Sequence, residues 1–247
     1  MILHRRLPFD IHDARPLPGV QPLGDAPWLL VDEAYAGQMA ERARLLAERR
    51  AEVLQLSQAG KAAAAELLQT VLAALPEGFS TAGDTVRRPD GGSLRIDPDD
   101  PLGTLGHLVQ EDLCLLEKQG EEHILTGAVL CFPASWRLAE KFMRPLTDIH
   151  APVPDYDAGI ARRVQRLFDG LQVGRPIWRF NRLWYDDPTL HQPRSRGAPR
   201  PLSDPGQAPF LRSERQCLLR LPVTRAVVFS IHTYVLAQAD VPGGSGH

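Results

Sequence analysis

The run Ile149-His-Ala-Pro-Val-Pro154 sets one imidazole, His150, at the end of a short helical stretch and stiffens the chain behind it. Pro152 and Pro154 each fix φ at about −65° and bias the residues before them, Ala151 and Val153, towards extended geometry. A side chain held in this way is aimed before anything binds, so His150 is a candidate metal ligand or catalytic group. A metal-bound imidazole usually donates its second nitrogen to a carboxylate or carbonyl, and Asp148 is nearby in sequence. The alternative is a helix-end histidine that donates to local carbonyls.

Two strand-like segments carry the other candidates. In Arg212-Ser-Glu-Arg-Gln216, alternation puts Arg212, Glu214 and Gln216 on one face, and Ser213, Arg215 and Cys217 on the other. Arg215 then points to a partly apolar side, where a guanidinium needs an anion: a ligand carboxylate, or Glu111 or Asp112 on a neighbouring strand. In the second segment, Trp178, Phe180 and Trp184 alternate with Arg179, Asn181 and Tyr185. Aromatics at period two are ordinarily core, but they can also wall a cofactor or hold an alkylammonium ion by cation–π contact.

Among the remaining histidines, His107 and His123 are the rival ligands and His232 could line a pocket, but each also has a structural reading. His107 is a cap before a strand, His123 lies on a solvated strand edge, and His232 is a hydrogen-bonded sheet residue on the more polar face of the last strand. His4, His12, His191 and His247 stand in irregular segments. Cys114, Cys131 and Cys217 read as reduced, buried thiols, with Cys131 a remote candidate for thiolate ligation.

The elements that must position these groups follow from periodicity and breakers. Residues 1–31 form an irregular, proline-rich arm. From residue 32 to 76 an apolar stripe (Tyr35, Met39, Leu45, Leu46, Val53, Leu56) and an alanine- and leucine-rich run predict a helical hairpin. Strands are expected over 108–117 and 123–132, joined by a hairpin turn, then a helix capped by Ser135 and ended or kinked at Pro145. A helix over 157–171 and strands over 177–185, 213–221 and 226–235 complete a domain spanning 77–240. The loop 192–209 is long and proline-rich, a lid or a disordered excursion, and 241–247 is a disordered tail. Hairpins with inserted helices argue an α+β class, an antiparallel sheet of roughly five strands with helices on one face.

Composition sets the outer limits. The 247 residues are 43% hydrophobic and 23% charged with a net charge of −2, which offers no basic stripe for nucleic acid or an anionic membrane. No apolar run approaches the length of a membrane span, no signal peptide opens the sequence, and reduced thiols suit a cytoplasmic location. There is no dinucleotide fingerprint, phosphate loop, His-Glu-x-x-His or Cys-x-x-Cys, so no flavin, nicotinamide or iron–sulfur site is evident in this chain.

The segment 133–156 resembles the signature of the haem-dependent oxidative N-demethylase (dimethylamine monooxygenase) haem-subunit family. So do Leu105 to Leu116, Trp178 to Trp184 and Leu211 to Pro222, and the likeness runs from about Pro18 to Val235. Ile149-His-Ala-Pro-Val-Pro154 and Ser213-Glu-Arg-Gln216 are its specific parts. The sequence departs from the family's usual pattern at Arg182, where tryptophan is commoner, at His232, where arginine is commoner, and in its shorter length.

The resemblance implies a PAS-like fold, haem b, and oxidative demethylation of a small secondary amine with O2. Electrons would come from a separate flavin and iron–sulfur reductase, and a folate-binding subunit could take the formaldehyde. Mapped onto this sequence, His150 is the candidate axial ligand, and Arg215, Trp136 and Trp178 are candidate cofactor contacts. Asn181, Tyr185 and Glu214 are candidate catalytic groups, with Glu111 and Asp112 as further carboxylates for the amine. A haem-binding gas or redox sensor, and a cofactor-free interaction subunit of the same fold, stand as alternatives.

Overall fold

The computed structural model describes residues 1–13, 15–150, 158–195, 197–198, 203–204 and 207–242, with the side chains of 150, 158, 160 and 161 outside that description. The arm contributes β1 (Gln21–Pro22), and the first helical region follows as α1 (Tyr35–Glu48) and α2 (Arg50–Val53). β2 (Leu54–Leu56) and α3 (Lys61–Ala73) come next, then a small sheet of β3 (Ser80–Ala82), β4 (Thr85–Arg87) and β5 (Ser93–Arg95). After α4 (Pro101–Gly106) the chain forms the hairpin of β6 (Asp112–Gln119) and β7 (Glu122–Val129). Three helices, α5 (Leu138–Lys141), α6 (Leu146–His150) and α7 (Ala158–Gly170), precede β8 (Ile177–Tyr185), β9 (Phe210–Arg220) and β10 (Val227–Ala237).

The large sheet is antiparallel throughout, in the order β1-β8-β9-β10-β6-β7-β2. Its spine is the β9–β10 hairpin, paired over its full length from Phe210↔Ala237 to Arg220↔Val227. Alternation along these strands separates two cores. Val228 of β10, with Leu113 and Leu115 of β6, joins Leu46, Leu67, Leu68 and Leu105 from α1, α3 and α4. Val227 and Ile231, with Cys114 and Leu116, face Leu146 of α6 and Phe168 of α7. Helices therefore cover both faces of the sheet, where the sequence predicted one. Strands with alternate residues buried on both sides need two covers.

The helical hairpin expected over 32–76 is interrupted. Leu54–Leu56 extends and pairs with β7, Leu54 opposite Val129, so a strand separates α1 from α3 and both helices pack on α4. α3 buries Ala63, Ala64, Leu67, Leu68 and Val71 along one stripe. α4 starts at Pro101 with the Asp100 carboxylate accepting the Gly103 N–H at 3.2 Å, the expected use of an acidic N-cap.

Ser135 is not a helix cap. It sits at φ 67°, and its N–H donates to Gln192 O across the protein. The helix expected behind it is two short ones, divided at Met143 (φ 59°) and Pro145. α7 is fastened at its C-terminal end by Arg220, which donates to Leu171 O at 2.7 Å and to Phe168 O, satisfying carbonyls that a helix leaves open. Of the loop 192–209, residues 196, 199–202 and 205–206 lie outside the described residues, so the lid expectation falls in part outside them, as does the tail over 243–247. No helix among the described residues is long and apolar enough to cross a membrane.

Candidate functional site

A cavity of about 480 Å³ lies between the sheet and helices α6 and α7. Its floor is the set of strand residues that alternation aims at this face: Cys114 and Leu116 on β6, Leu125 on β7, Phe229 and Ile231 on β10, and Leu218 on β9. Leu146 and Ile149 of α6, and Val164, Leu167 and Phe168 of α7, form the roof at helical spacing. Leu17, Pro18 and Val20 of the arm close one side. Trp136 stands at the wall with the Lys141 ammonium 4.2 Å from its ring centroid.

One end of this apolar space is polar. Asn181 and Glu214 are directly paired across β8 and β9. The Asn181 amide donates to Glu214 Oε2 at 2.9 Å and its carbonyl accepts the Glu214 N–H at 2.9 Å. Gln216 Nε2 donates to the same Oε2 at 3.0 Å, and Arg212 stands 3.6 Å from Oε1. The Glu214 carboxylate is therefore fixed by one oxygen, while Oε1 has only this longer approach. Arg179, opposite Gln216 in the register, completes the polar end, and its Nε is buried without a hydrogen-bond acceptor. Burial pushes the Arg179 guanidinium below its usual range, an effect that nearby Glu214 opposes.

Of the residues singled out from sequence, the cavity brings together Trp136, Asn181 and Glu214. It leaves out Tyr185, Trp178 and Arg215. Tyr185 is buried at the far end of β8 beneath the Arg212 guanidinium. Trp178 and Arg215 face the opposite side of the sheet, where Arg215 lies 5.4 Å from the indole and donates to Pro27 O at 2.8 Å. Arg215 thus pairs with neither Glu111 nor Asp112. The Asp112 carboxylate is taken by Arg42 at 2.6 Å and by the N–H groups of Cys131 and Phe132.

His150 ends α6, and its side chain lies outside the described residues, as do Ala151 to Asp157. His123 is buried rather than solvated. Its Nδ1 lies 3.0 Å from the Gln165 amide and its ring packs on Phe168, while burial depresses its pKa. The thiol that reaches the cavity is Cys114, not Cys131, and burial pushes it far above its usual range, so it is neutral.

A second polar cluster lies on the opposite face. His232 places Nδ1 2.9 Å from Glu111 Oε1 and Nε2 2.9 Å from Asp32 Oδ2, and His4 Nε2 lies 3.0 Å from the same Asp32 oxygen. Among the described residues, His4, Asp32 and His232 form the one group at metal-ligand spacing, their atoms within 4.8 Å of one another. Protons account for these contacts. Both His232 nitrogens face carboxylate oxygens and so carry hydrogen. The Val235 N–H points at His4 Nδ1 at 3.1 Å, which leaves the His4 proton on Nε2, directed at Asp32.

Burial would depress His232, but hydrogen bonds from its nitrogens to Asp32 and Glu111 outweigh it and raise the pKa to about 9. Burial likewise opposes ionisation of Asp32, and the two histidines together hold its carboxyl well below the usual range. The cluster joins the arm, the lead into α1 and the sheet. His232 had the expected hydrogen-bonded role. His4 and Asp32 gave no local signal, since their partners are far away in sequence.

The strands and helices that build the cavity all fall within residues 19–243, the span that matches the family described as "Haem-dependent oxidative N-demethylase, alpha subunit-like".

Proposed function

We propose, from the premise that this chain belongs to the haem-dependent oxidative N-demethylase, alpha-subunit-like family, that its cavity holds haem b and that the protein demethylates a small secondary amine. The observation that carries this reading is an apolar cavity of about 480 Å³ ending in an oriented carboxylate. The volume is within the range of about 300–1,000 Å³ typical of ligand sites. Two features favour haem in particular: the broad apolar walls suit a macrocycle, and Arg179 offers an unused donor at the polar end. The long strands, counted in chain order from β6, run 2-1-5-4-3 across the sheet, which supports the PAS-like fold that the resemblance implies.

In this reading His150 would hold the haem iron. It follows Ile149 and lies one helical turn beyond Leu146, both of which line the cavity. Its nearest rivals are weaker: the Cys114 thiol is neutral, and His123 is occupied by Gln165 behind Phe168. Bound haem supplies the oxidation chemistry with O2 and external electrons. The chain's residues do the rest. The apolar walls exclude water, and Trp136 bounds the substrate. Asn181 and Gln216 hold Glu214 Oε2 so that Oε1 can accept an N–H of the alkylammonium and take up its proton. A separate flavin and iron–sulfur reductase supplies the electrons, and a folate-binding subunit is the candidate acceptor of formaldehyde. Tyr185, Trp178 and Arg215 are left out of this proposed site because they lie away from the cavity.

The test is the absorption spectrum of protein expressed with ample haem precursor, beside His150→Ala. A Soret band that needs His150, followed by formaldehyde release from methylated amines with a reductase, is the expected result. Haem and stable gas binding without turnover under any reductant would instead assign a sensor. Protein that stays colourless while folded would remove haem from the account.

A further inference from the structure

Arg179 is a cation in want of an anion. It projects from β8 at the junction of two cavities: the apolar one of about 480 Å³, and a polar one of about 240 Å³ bounded by the arm residues Asp13, Arg15 and Gln21 together with Arg182. Among the described residues, the carboxylates around it have prior partners. Glu214 is held by Asn181 and Gln216 with Arg212 beside it, and Asp13 lies 3.6 Å from Arg15. Arg182 is drawn to Ile11 O at 3.4 Å. Arg179 Nε is left buried with no acceptor, which is costly for a guanidinium unless a ligand supplies one.

From this arrangement we infer that Arg179 receives a carboxylate belonging to a ligand bound in the larger cavity. The inference rests on the proposed haem-dependent reading of the same site. A carboxylate could arrive there from two sources: a haem propionate, or the carboxylate of an N-methyl amino acid whose ammonium pairs with Glu214. A planar guanidinium can take either with two parallel hydrogen bonds. The polar cavity gives the carboxylate a wet side at the mouth of the apolar one. This places the carboxylate receptor on the face of the sheet opposite Arg215.

Three probes separate the sources: haem, haem dimethyl ester and N-methylglycine, each titrated into the protein and into Arg179→Leu. A buried N–H without an acceptor costs free energy, so the ligand-free variant is expected to melt no lower than the parent. If a propionate is the partner, Arg179→Leu weakens haem by about tenfold or more, while the diester binds both proteins alike. If a substrate carboxylate is the partner, haem affinity is unchanged and N-methylglycine binding is lost, with dimethylamine binding retained. Equal binding of haem, diester and N-methylglycine by both proteins would overturn the inference. So would a variant that melts well below the parent without ligand, which would make Arg179 structural. Should the parent show no Soret band, the haem reading fails on its own. N-methylglycine then decides: binding lost in Arg179→Leu sustains the carboxylate receptor, and no binding to the parent ends it.

Discussion

At the scale of residues, the site depends on how one carboxylate is held. Glu214 lines the cavity and keeps Oε2 for Asn181 and Gln216, leaving Oε1 with only the longer approach of Arg212, so its charge and its aim are separable. Glu214→Gln preserves size and most hydrogen bonding but removes the charge. Affinity for a dialkylammonium is expected to fall by about tenfold or more, with haem binding unchanged, as read by amine titration of the haem-loaded protein. Unchanged amine affinity would show that the substrate nitrogen is bound elsewhere. Asn181 and Glu214 were legible in sequence because each sits on a strand where alternation predicts a face. The same alternation grouped Arg179 with Asn181, yet its lack of a partner appears only when the neighbouring strands and the arm are in place.

At the scale of elements, close backbone approaches decide which positions tolerate change. Gly60 opens α3 beneath the irregularity in β7, where Leu115 pairs with Gly127 and Leu116 with Leu125, leaving Thr126 extra. A Cβ on Gly60 would meet Thr126 O at 2.8 Å, backbone that cannot swing aside. Gly170, at the end of α7, has nothing within 4 Å of the same position. Gly60→Ala is therefore expected to lose about 1–3 kcal/mol in chemical denaturation, and Gly170→Ala to be neutral or to gain up to about 1 kcal/mol. Equal effects would mean that α3 can move off the sheet. The β6–β7 and β9–β10 hairpins were readable from alternation and turn residues. The break between α1 and α3 was not, because Leu54–Leu56 leaves the helical pattern to pair with β7, a partner some seventy residues away.

At the scale of the whole molecule, the sheet divides two kinds of chemistry. One face carries the cavity; the other carries a buried ionic cluster that ties the arm to β10. His232 is faced there by Asp32 and Glu111, with His4 on the shared Asp32 oxygen, Tyr234 against its ring and Arg215 opposite in the register. Its raised pKa means that the stabilisation is fully present below the ordinary imidazole value of 6.5 and is lost as pH rises through about 9. Asp32 runs the other way: its contribution is present above the usual carboxylate range and is lost in acid. Unfolding free energy should therefore decline from about pH 7 to about pH 9. His232→Gln should be about 3–5 kcal/mol less stable at neutral pH and lack most of that decline. A variant with the parent's pH profile would take His232 out of the lock.

The sequence by itself determined the antiparallel class, the strand faces and the family resemblance. Each rests on local periodicity or on residues adjacent in the chain. Tertiary structure alone decided that helices cover both faces, that the cavity opens opposite Arg215, that Arg179 Nε has no acceptor among the described residues, and that His4, Asp32 and His232 meet. Those facts are pairings between segments as much as 231 positions apart, the separation of His4 from Val235. No periodicity encodes such a pairing, because it exists only after the sheet has brought the two segments together.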